Sequence, residues 1–307
     1  MKQPSLSLPS FAKINWSLQI LGKRPDGYHE VKTILQTISL HDDIHFEVTP
    51  ASELALTCDT AGIPTDDRNL VIRAAEALKA RYGVNRGASI RLEKRIPTQA
   101  GLGGASSNAA VSLLALTKLW RIDSTPAAQL EIAAGLGADV PFFLMGGCAL
   151  ATGTGATVSS LPDCPEFHLI VVKPRAAVVT AEAYAAVSSS ALTTMNTATI
   201  LASLHEGGDL NDSFLWPPSD NRVGHLRNDF ESVIFDIDPE IRRTKETLLE
   251  AGALGALLAG SGSSVFGIFA DRETQQRAMD KFQPEAGWHV FPCVTVSRNE
   301  YDRALSF

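Results

Sequence analysis

The sequence predicts a protein of the α+β class with two domains. Two observations support this prediction: strand-like and helix-like segments alternate along the chain, and the composition changes around Leu161–Pro165. The 307 residues are 45% hydrophobic and 20% charged, which is enough to form large buried cores without disulfides or structural metals. We therefore predict an N-terminal domain over residues 1–162 and a C-terminal domain over residues 163–307.

The first half begins with strands. Residues 13–48 are strand-rich, and the segment Gly22–Gly27, which reads G-K-R-P-D-G, predicts a turn between two apolar stretches. A helix is expected after Asp66 or Asp67, because either side chain is a suitable N-cap, and Gly83 marks its end.

A glycine-rich segment follows a predicted strand and precedes a predicted helix. The strand covers Ser89–Ile96, and the glycine-rich segment Pro97–Ser107 comes directly after it. The helix that follows has one apolar face, formed by Ala109, Leu113, Leu116 and Trp120. The next helix is expected to begin at Ser124 or Thr125, with Pro126 in its first turn.

The second half again alternates strands and helices. It opens with a buried strand, His168–Val172, and the later segment 188–220 is rich in Ser, Thr, Gly and Asn, which predicts long loops and weak helix. The chain then predicts a helix, a strand, a loop and a strand at Pro239–Ala251, Ala256–Leu258, Gly260–Ser264 and Val265–Phe269. A further helix and strand complete the domain.

Charge and cysteine content exclude several classes of protein. The chain has 27 basic and 34 acidic side chains, a net charge of -7, and no basic stripe, so we expect no nucleic-acid partner. No stretch approaches the ~18 apolar residues of a membrane span. The four cysteines are widely spaced and form no C-x-x-C pair, which predicts reduced thiols. The first ten residues lack the apolar core that a signal peptide needs. We therefore predict a cytoplasmic protein, or a protein that entered another compartment with a longer presequence that was later removed.

The glycine-rich segment is the strongest local indication of function. Gly101, Gly103 and Gly104 permit tight turns that expose backbone amides, and a helix that begins there adds the positive end of its dipole. No lysine follows as in a Walker A loop, and Ser106 stands where the dinucleotide fingerprint needs glycine. Two interpretations stay open from the residues alone: a phosphate cradle, to which Ser106 and Ser107 add hydroxyl groups, and a packing turn.

Four other segments each have a structural interpretation, and two of them also allow a functional one from the residues alone. Lys13 opens an apolar strand, where it either meets a phosphate or points to solvent. Asp139 is either a helix N-cap, with Pro141 in the first turn, or a catalytic carboxylate. The Gly260–Ser264 loop taken alone is a hairpin loop, and the pair Tyr28–His29 taken alone is a surface pair. We assign no metal to His41 and His45.

Taken together, three of these segments resemble the three motifs of the GHMP kinases. They are Ala12–Asn15, Pro97–Ser107 and Gly260–Ser264, in that order along the chain. The segments R-P-D-G-Y-H-E, K-R-I-P and G-A-D-V-P-F-F are similar to one branch of this family, whose substrate is a cytidine diphosphate-linked methylerythritol. The resemblance covers most of the first 150 residues and returns near Asn228–Glu231.

The resemblance implies a fold, a reaction and a set of site residues. The fold would combine an N-terminal domain similar to ribosomal protein S5 domain 2, which binds the nucleotide, with a ferredoxin-like C-terminal domain on the substrate side. The reaction would be ATP-dependent phosphorylation of the substrate's 2-hydroxyl, in isoprenoid precursor biosynthesis by the methylerythritol phosphate pathway. ATP and Mg²⁺ are the implied cofactors, and the protein would be a monomer or homodimer.

The implied site residues form three groups. Lys13 and Asp139 match the catalytic pair. The residues that match the ATP-binding loop are Pro97, Thr98, Gln99, Ala100, Gly101, Leu102, Gly103, Gly104, Ala105, Ser106 and Ser107. Those that match substrate-binding positions are Asn15, Tyr28, His29, Tyr184, Gly260, Ser261 and Gly262.

The loop departs from the family pattern at three positions. Gln99, Ala100 and Ala105 stand where relatives often have glycine. Because alanine does not tolerate a left-handed backbone, the loop would have to close differently if Ala100 needed one.

Two rival functions are another GHMP kinase, acting on mevalonate, homoserine or a sugar, and a non-catalytic relative that binds ligand. The R-P-D-G-Y-H-E segment argues against the first, and the presence of both Lys13 and Asp139 argues against the second.

Overall fold

A long antiparallel hairpin begins the chain. In the computed structural model, which describes residues 3–189 and 226–306, strand β1 is Ser5–Lys23 and strand β2 is His29–Thr49. Gly27 has a φ of 88° in the turn between them, a left-handed conformation that glycine adopts without steric cost. The predicted strand-rich segment and its turn are confirmed.

The other strands of the first sheet extend this hairpin on both sides. The described strand order is β3-β4-β2-β1-β8, and β5 and β6 continue the sheet from β2. The added strands are β3 (Leu54–Cys58), β4 (Gly87–Glu93), β5 (Cys148–Gly153), β6 (Thr157–Ser160) and β8 (Arg227–Asn228). Since β8 pairs in parallel with β1, a segment of the second half of the chain completes the edge of the first sheet.

Four helices accompany the first sheet. They are α1 (Leu70–Tyr82), α2 (Gly104–Leu119), α3 (Pro126–Leu136) and α4 (Val140–Phe143). Gly83 ends α1 in a left-handed conformation, and Thr125 caps α3 ahead of Pro126, so both predictions are confirmed. The predicted cap of α1 is wrong. Asn69 accepts the cap hydrogen bond, whereas the carboxylate of Asp66 is bonded to the backbone and guanidinium of Arg68 one turn earlier.

The second sheet has the strand order β11-β7-β10-β9, with every pair antiparallel. Its strands are β7 (His168–Lys173), β9 (Gly255–Leu258), β10 (Val265–Phe269) and β11 (His289–Val294). The accompanying helices are α5 (Thr180–Ser189), α6 (Glu231–Ile237), α7 (Pro239–Glu250) and α8 (Arg272–Lys281). Helical segments follow β7 and β10, and β9 and β10 are consecutive antiparallel strands, which is the βαββαβ pattern of a ferredoxin-like domain. The predicted loop segment 188–220 lies outside the described residues from residue 190 onward.

The two sheets share a core. Ile14 of β1 belongs to the same buried cluster as Val171 of β7 and Phe266 of β10. The last helix, α9 (Arg298–Leu305), returns to the first half and buries Tyr301 in the core beneath the first sheet. The domain boundary between residues 162 and 163 stays a prediction.

The helices and the cysteines of the described chain each test one prediction. In residues 3–189 and 226–306, no helix has both the length and the apolar character needed to cross a membrane. The four cysteines are free, and burial raises the pKa of the Cys164 thiol to about 11 and that of Cys293 to about 12.

Candidate active site

The three motif segments meet in space and are joined by hydrogen bonds. The amide of Lys13 donates to the carbonyl of Leu102 at 3.0 Å, which joins the first segment to the glycine-rich one. The amide of Ser264 donates to the carbonyl of Ala100 at 3.2 Å, and the amide of Gly260 donates to Asn15 Oδ1 at 3.0 Å. Segments almost 250 residues apart in sequence therefore form one connected site.

Close backbone contact explains the glycine at position 101. Its φ is 74°, and a Cβ there would lie 1.8 Å from the carbonyl oxygen of Ala259. At Gly103 the φ is 71°, and a Cβ would lie 2.8 Å from the ring of Phe143. Any larger residue at position 101 would push the loop away from the third segment.

The glycine-rich segment ends in the N-terminus of α2. The helix begins at Gly104, and no side chain caps it. The first amides of such a helix, together with the positive end of its dipole, form a site for an anion. We call residues 97–106 the phosphate loop, and all of them line the cavity described below.

The phosphate loop has the conformation that its non-glycine residues Gln99, Ala100 and Ala105 allow. Ala100 is not left-handed, whereas Gln99 has a φ of 51° and takes the strained conformation. Ala105 is helical within the first turn of α2. The loop thus accommodates two alanines without distortion and keeps its glycines at positions 101 and 103, where the backbone is left-handed.

Lys13 is buried and lies next to Asp139. Its Nζ is 3.7 Å from Asp139 Oδ2, and the exposed fractions of the two side chains are 4% and 38%. The same Nζ donates to Asn15 Oδ1 at 2.9 Å, while Asn15 Nδ2 donates to Thr33 Oγ1 at 2.7 Å. Asn15 thereby fixes the position of the ammonium group, and the alternative of a solvent-facing Lys13 is excluded.

Asp139 occupies the N-cap position of α4 but makes no capping hydrogen bond. Its carboxylate is directed instead to the ion pair with Lys13 and to the cavity. This arrangement favours the catalytic interpretation of Asp139 over the capping one.

These groups line a cavity of about 1030 Å³. Its lysine and arginine side chains in the described part of the chain are Lys13, Lys23, Arg68 and Lys94, against the single carboxylate of Asp139. The local excess of positive charge contrasts with the net charge of -7 of the whole chain. Such a cavity attracts polyanionic ligands.

The two serines of the glycine-rich segment have different environments. Ser106 lines the cavity, whereas Ser107 is fully buried and its Oγ accepts a hydrogen bond from Ser10. A role of Ser107 in ATP binding stays a prediction, and its hydroxyl belongs to the polar cluster behind the loop.

The predicted substrate-binding aromatic residues lie together at another part of the cavity. His29 stacks on Tyr184 with ring centroids 4.8 Å apart, and Tyr184 in turn lies edge-on against Phe230. Tyr28 also lines the cavity and is 66% exposed. Burial and the nearby charge of Lys23 lower the pKa of His29 below its ordinary value. Burial and the charge of Asp139 raise the pKa of Tyr184 to about 12.

The third segment is held by side chains of the second half. Asn228 Nδ2 donates to the carbonyl of Gly260 at 2.7 Å, and the hydroxyl groups of Ser261 and Thr180 are 3.0 Å apart. Gly260 and Ser261 line the cavity, while Gly262 lies outside its lining.

Several residues that line this cavity were not predicted as site residues from the sequence, and Lys94, Thr180 and Arg68 are three polar examples. Lys94 opens the K-R-I-P segment, which was the available indication of its role, and Thr180 and Arg68 lie in segments without a motif. In the part of the chain that the structure describes, no three His, Cys, Asp or Glu side chains are grouped closely enough to hold a metal ion.

The fold and this site define the class of the protein. A model described as "GHMP kinases N terminal domain" matches residues 69–147, and one described as "GHMP kinases C terminal" matches residues 220–287. The crystal structure of homoserine kinase from Cytophaga hutchinsonii superimposes with a TM-score of 0.72 over 97% of this chain and 96% of that chain, at 20% identity, and so shares the fold. The predicted fold class is confirmed.

More similar relatives narrow this class. The chain is 44% identical over 272 residues to the 4-diphosphocytidyl-2-C-methyl-D-erythritol kinase of Pelotomaculum thermopropionicum, which covers 89% of this chain and 92% of the relative. A crystal structure of 4-(cytidine 5'-diphospho)-2C-methyl-D-erythritol kinase has a TM-score of 0.75 at 32% identity, over 94% of this chain and 99% of that chain. The chain therefore belongs to the family of 4-diphosphocytidyl-2-C-methyl-D-erythritol kinases.

Proposed function

We propose that this protein transfers the γ-phosphoryl group of ATP to the 2-hydroxyl of 4-diphosphocytidyl-2-C-methyl-D-erythritol, a step of isoprenoid precursor biosynthesis. The observation that carries the proposal is the Lys13–Asp139 pair, which lies at the junction of three motif segments and faces a cationic cavity. The family to which the chain belongs supports the choice of substrate.

Asp139 acts on the acceptor hydroxyl. Its partly exposed carboxylate orients the hydroxyl group and accepts its proton as the oxygen attacks the γ-phosphorus atom, as an aspartate does in other kinases. Lys13, which Asn15 holds in place, stabilises the negative charge on the transferring phosphoryl group.

The phosphate loop binds the nucleotide. Its left-handed glycines bring the backbone close to the phosphates, and the uncapped start of α2 provides amide donors. Mg²⁺ prefers oxygen ligands, and among the oxygen-bearing groups of the cavity lining the Ser106 hydroxyl would hold it beside the phosphates. When bound, the ion offsets phosphate charge.

The aromatic part of the cavity receives the cytidine end of the acceptor. Tyr28, His29 and Tyr184 line it together, and flat rings of this kind bind a nucleobase by stacking.

The direct test is ADP release from ATP-Mg²⁺ by the purified protein in the presence of 4-diphosphocytidyl-2-C-methyl-D-erythritol. Parallel reactions contain mevalonate, homoserine or galactose. We expect turnover with the cytidyl substrate alone. Turnover with another acceptor would reject the proposed substrate and keep the reaction class. Absence of turnover with all four, while ATP is bound, would contradict the proposed reaction and favour a binding role.

We also propose that the protein works in the cytoplasm as a monomer or homodimer. Sedimentation of the purified protein tests its oligomeric state, and cell fractionation tests its location.

A further inference from the structure

A buried cluster of polar side chains lies behind the phosphate loop, and the proposed mechanism does not use it. The Asp42 cluster consists of Asp42, Lys94, Asn108, Ser10 and Ser107. We infer that Asp42 is a positioning residue for the nucleotide, because it holds Lys94 and both ends of the phosphate loop in the arrangement that binds phosphate. The inference rests on the proposed function and deepens it.

Asp42 accepts four hydrogen bonds although its side chain is completely buried. Its Oδ1 accepts from the backbone amides of Arg95 at 2.7 Å and Ile96 at 2.8 Å, directly before the loop. Its Oδ2 accepts from Asn108 Nδ2 at 2.9 Å and from Lys94 Nζ. One carboxylate therefore joins the segment that enters the phosphate loop to the helix that leaves it.

Lys94 connects this cluster to the cavity. Its side chain is 7% exposed and lines the cavity, and its Nζ lies 3.2 Å from the point where a Cβ on Gly104 would stand. A cation at that place faces the positive end of the α2 dipole, which is unfavourable on its own. The Asp42 carboxylate offsets this repulsion, so that Lys94 and the helix start together present positive charge to one bound anion.

The cluster also fixes the first turns of α2 against β1. Asn108 Nδ2 donates to Ser10 Oγ at 2.9 Å, and Ser10 Oγ donates to Ser107 Oγ at 2.8 Å. Loss of Asp42 would remove one acceptor from Lys94 and one from Asn108 and would loosen the N-terminus of α2.

The test begins with Asp42→Asn. Asparagine keeps one oxygen for the amides of Arg95 and Ile96, but its Nδ2 donor faces the donors of Lys94 and Asn108. We expect the Kd for ADP, measured by calorimetry, and the KM for ATP to rise about tenfold or more. The KM for the acceptor should not change. A purely structural role predicts instead a lower Tm with an unchanged Kd for ADP per folded molecule, and that result would overturn the inference.

The matched control is Asp43→Asn. Asp43 is the next residue along β2 and also contacts Arg95. This contact lies outside the cluster and joins the Asp43 carboxylate to the Arg95 guanidinium at 2.7 Å. It lies outside the lining of the cavity. We expect this variant to keep the wild-type Kd for ADP. An equal loss of affinity in both variants would show a general effect of changing β2 and would reject the special role of Asp42.

A swap of the two polar side chains tests the cluster even if Asp42→Asn does not fold. Asn108→Asp alone places two carboxylates together and should weaken ADP binding. The double variant D42N/N108D returns one carboxylate to accept from Lys94 and should restore the Kd. Wild-type affinity in Asn108→Asp, or no recovery in the double variant, would contradict the inference.

Direct ADP binding separates this inference from the proposed function. If the protein does not phosphorylate the cytidyl substrate but its ADP affinity still depends on Asp42, the proposed reaction fails and the positioning role stands. If the reaction occurs and ADP affinity does not depend on Asp42, the proposed reaction stands and the positioning role of Asp42 fails.

Discussion

Asp139 stands at the start of a four-residue helix without capping it, and its carboxylate lies 3.7 Å from Lys13 Nζ. A residue that served the helix would direct its oxygen to the amides of the first turn. The sequence alone left capping and catalysis as equal alternatives for Asp139, because the residue pattern of a cap does not reveal which way the side chain points. The partner that decides between them is 126 positions away in the chain.

The first prediction concerns this pair. Asp139→Asn should reduce kcat on the order of 10²-fold or more, because the amide cannot accept the hydroxyl proton. Lys13→Ala should also lower kcat more than it weakens ATP binding. Steady-state kinetics together with ADP calorimetry measure both effects, and Glu131→Gln, in an exposed pair with Arg81, is the control. A loss below tenfold in a folded Asp139→Asn variant would reject the role of Asp139 as base.

The second prediction concerns His29 and pH. Burial lowers the pKa of His29 below 6.5, so the ring is neutral above that pH. The stabilisation provided by the neutral ring is fully present above the unfolded-state pKa and is lost as the pH falls through the lowered folded-state pKa. We expect the KM for the cytidyl substrate to rise as the pH falls through the lowered pKa of His29. A pH series of kcat/KM checks this. In His29→Asn, kcat/KM should no longer fall at acidic pH. If it falls as in the wild type, a group other than His29 causes the pH dependence.

At the scale of elements, the order of strands and helices was largely predictable, and so were several of their ends, such as Gly83 after α1, but not the start of α1. The strand Val265–Phe269 agrees with its prediction because its apolar residues stand between the Gly260–Ser264 loop and Asp271. The predicted cap of α1 was wrong because Asp66, Asp67 and Asn69 each suit the position, and the turn in which Asp66 binds Arg68 leaves Asn69 as the cap.

The phosphate loop yields the third prediction. Gly101→Ala should destabilise the protein by at least about 2 kcal/mol, because alanine is strained at a φ of 74° and its Cβ would collide with the carbonyl of Ala259. Gly135→Ala is the matched control within α3, where a Cβ meets no atom within 4 Å, and it should stabilise the protein by about 0.5–1 kcal/mol. Urea unfolding measures both changes. Equal stability of the two variants would show that the loop adapts to a side chain.

At the scale of the whole molecule, the sequence predicted the three motif segments and could not predict how they are joined. Asn15 illustrates the limit: its Oδ1 accepts from Lys13 two residues away and from Gly260 in the other half of the chain. The second bond exists because the two sheets share a core, and such packing is not encoded in any local pattern. Thr180, which begins α5 in the second half of the chain, reaches the cavity for the same reason.

The fourth prediction follows from the distribution of charge. The cavity is cationic while the chain as a whole is acidic, so salt should screen a local attraction. We expect the KM for ATP to rise severalfold between low and high ionic strength. The affinity for uncharged cytidine should stay constant under the same conditions. Equal salt dependence for ATP and cytidine would show that the charges of the cavity do not determine ATP affinity.

Helix α9 has a consequence for how the protein is made. Tyr301 and Leu305 complete the core beneath the first sheet, and the Tyr301 hydroxyl donates to the carbonyl of Phe143 at the end of α4. A ribosome synthesises this helix after nearly all of the second half. The N-terminal half of a nascent chain must therefore wait with an open core, close to the segment that carries Asp139, until α9 emerges and closes it.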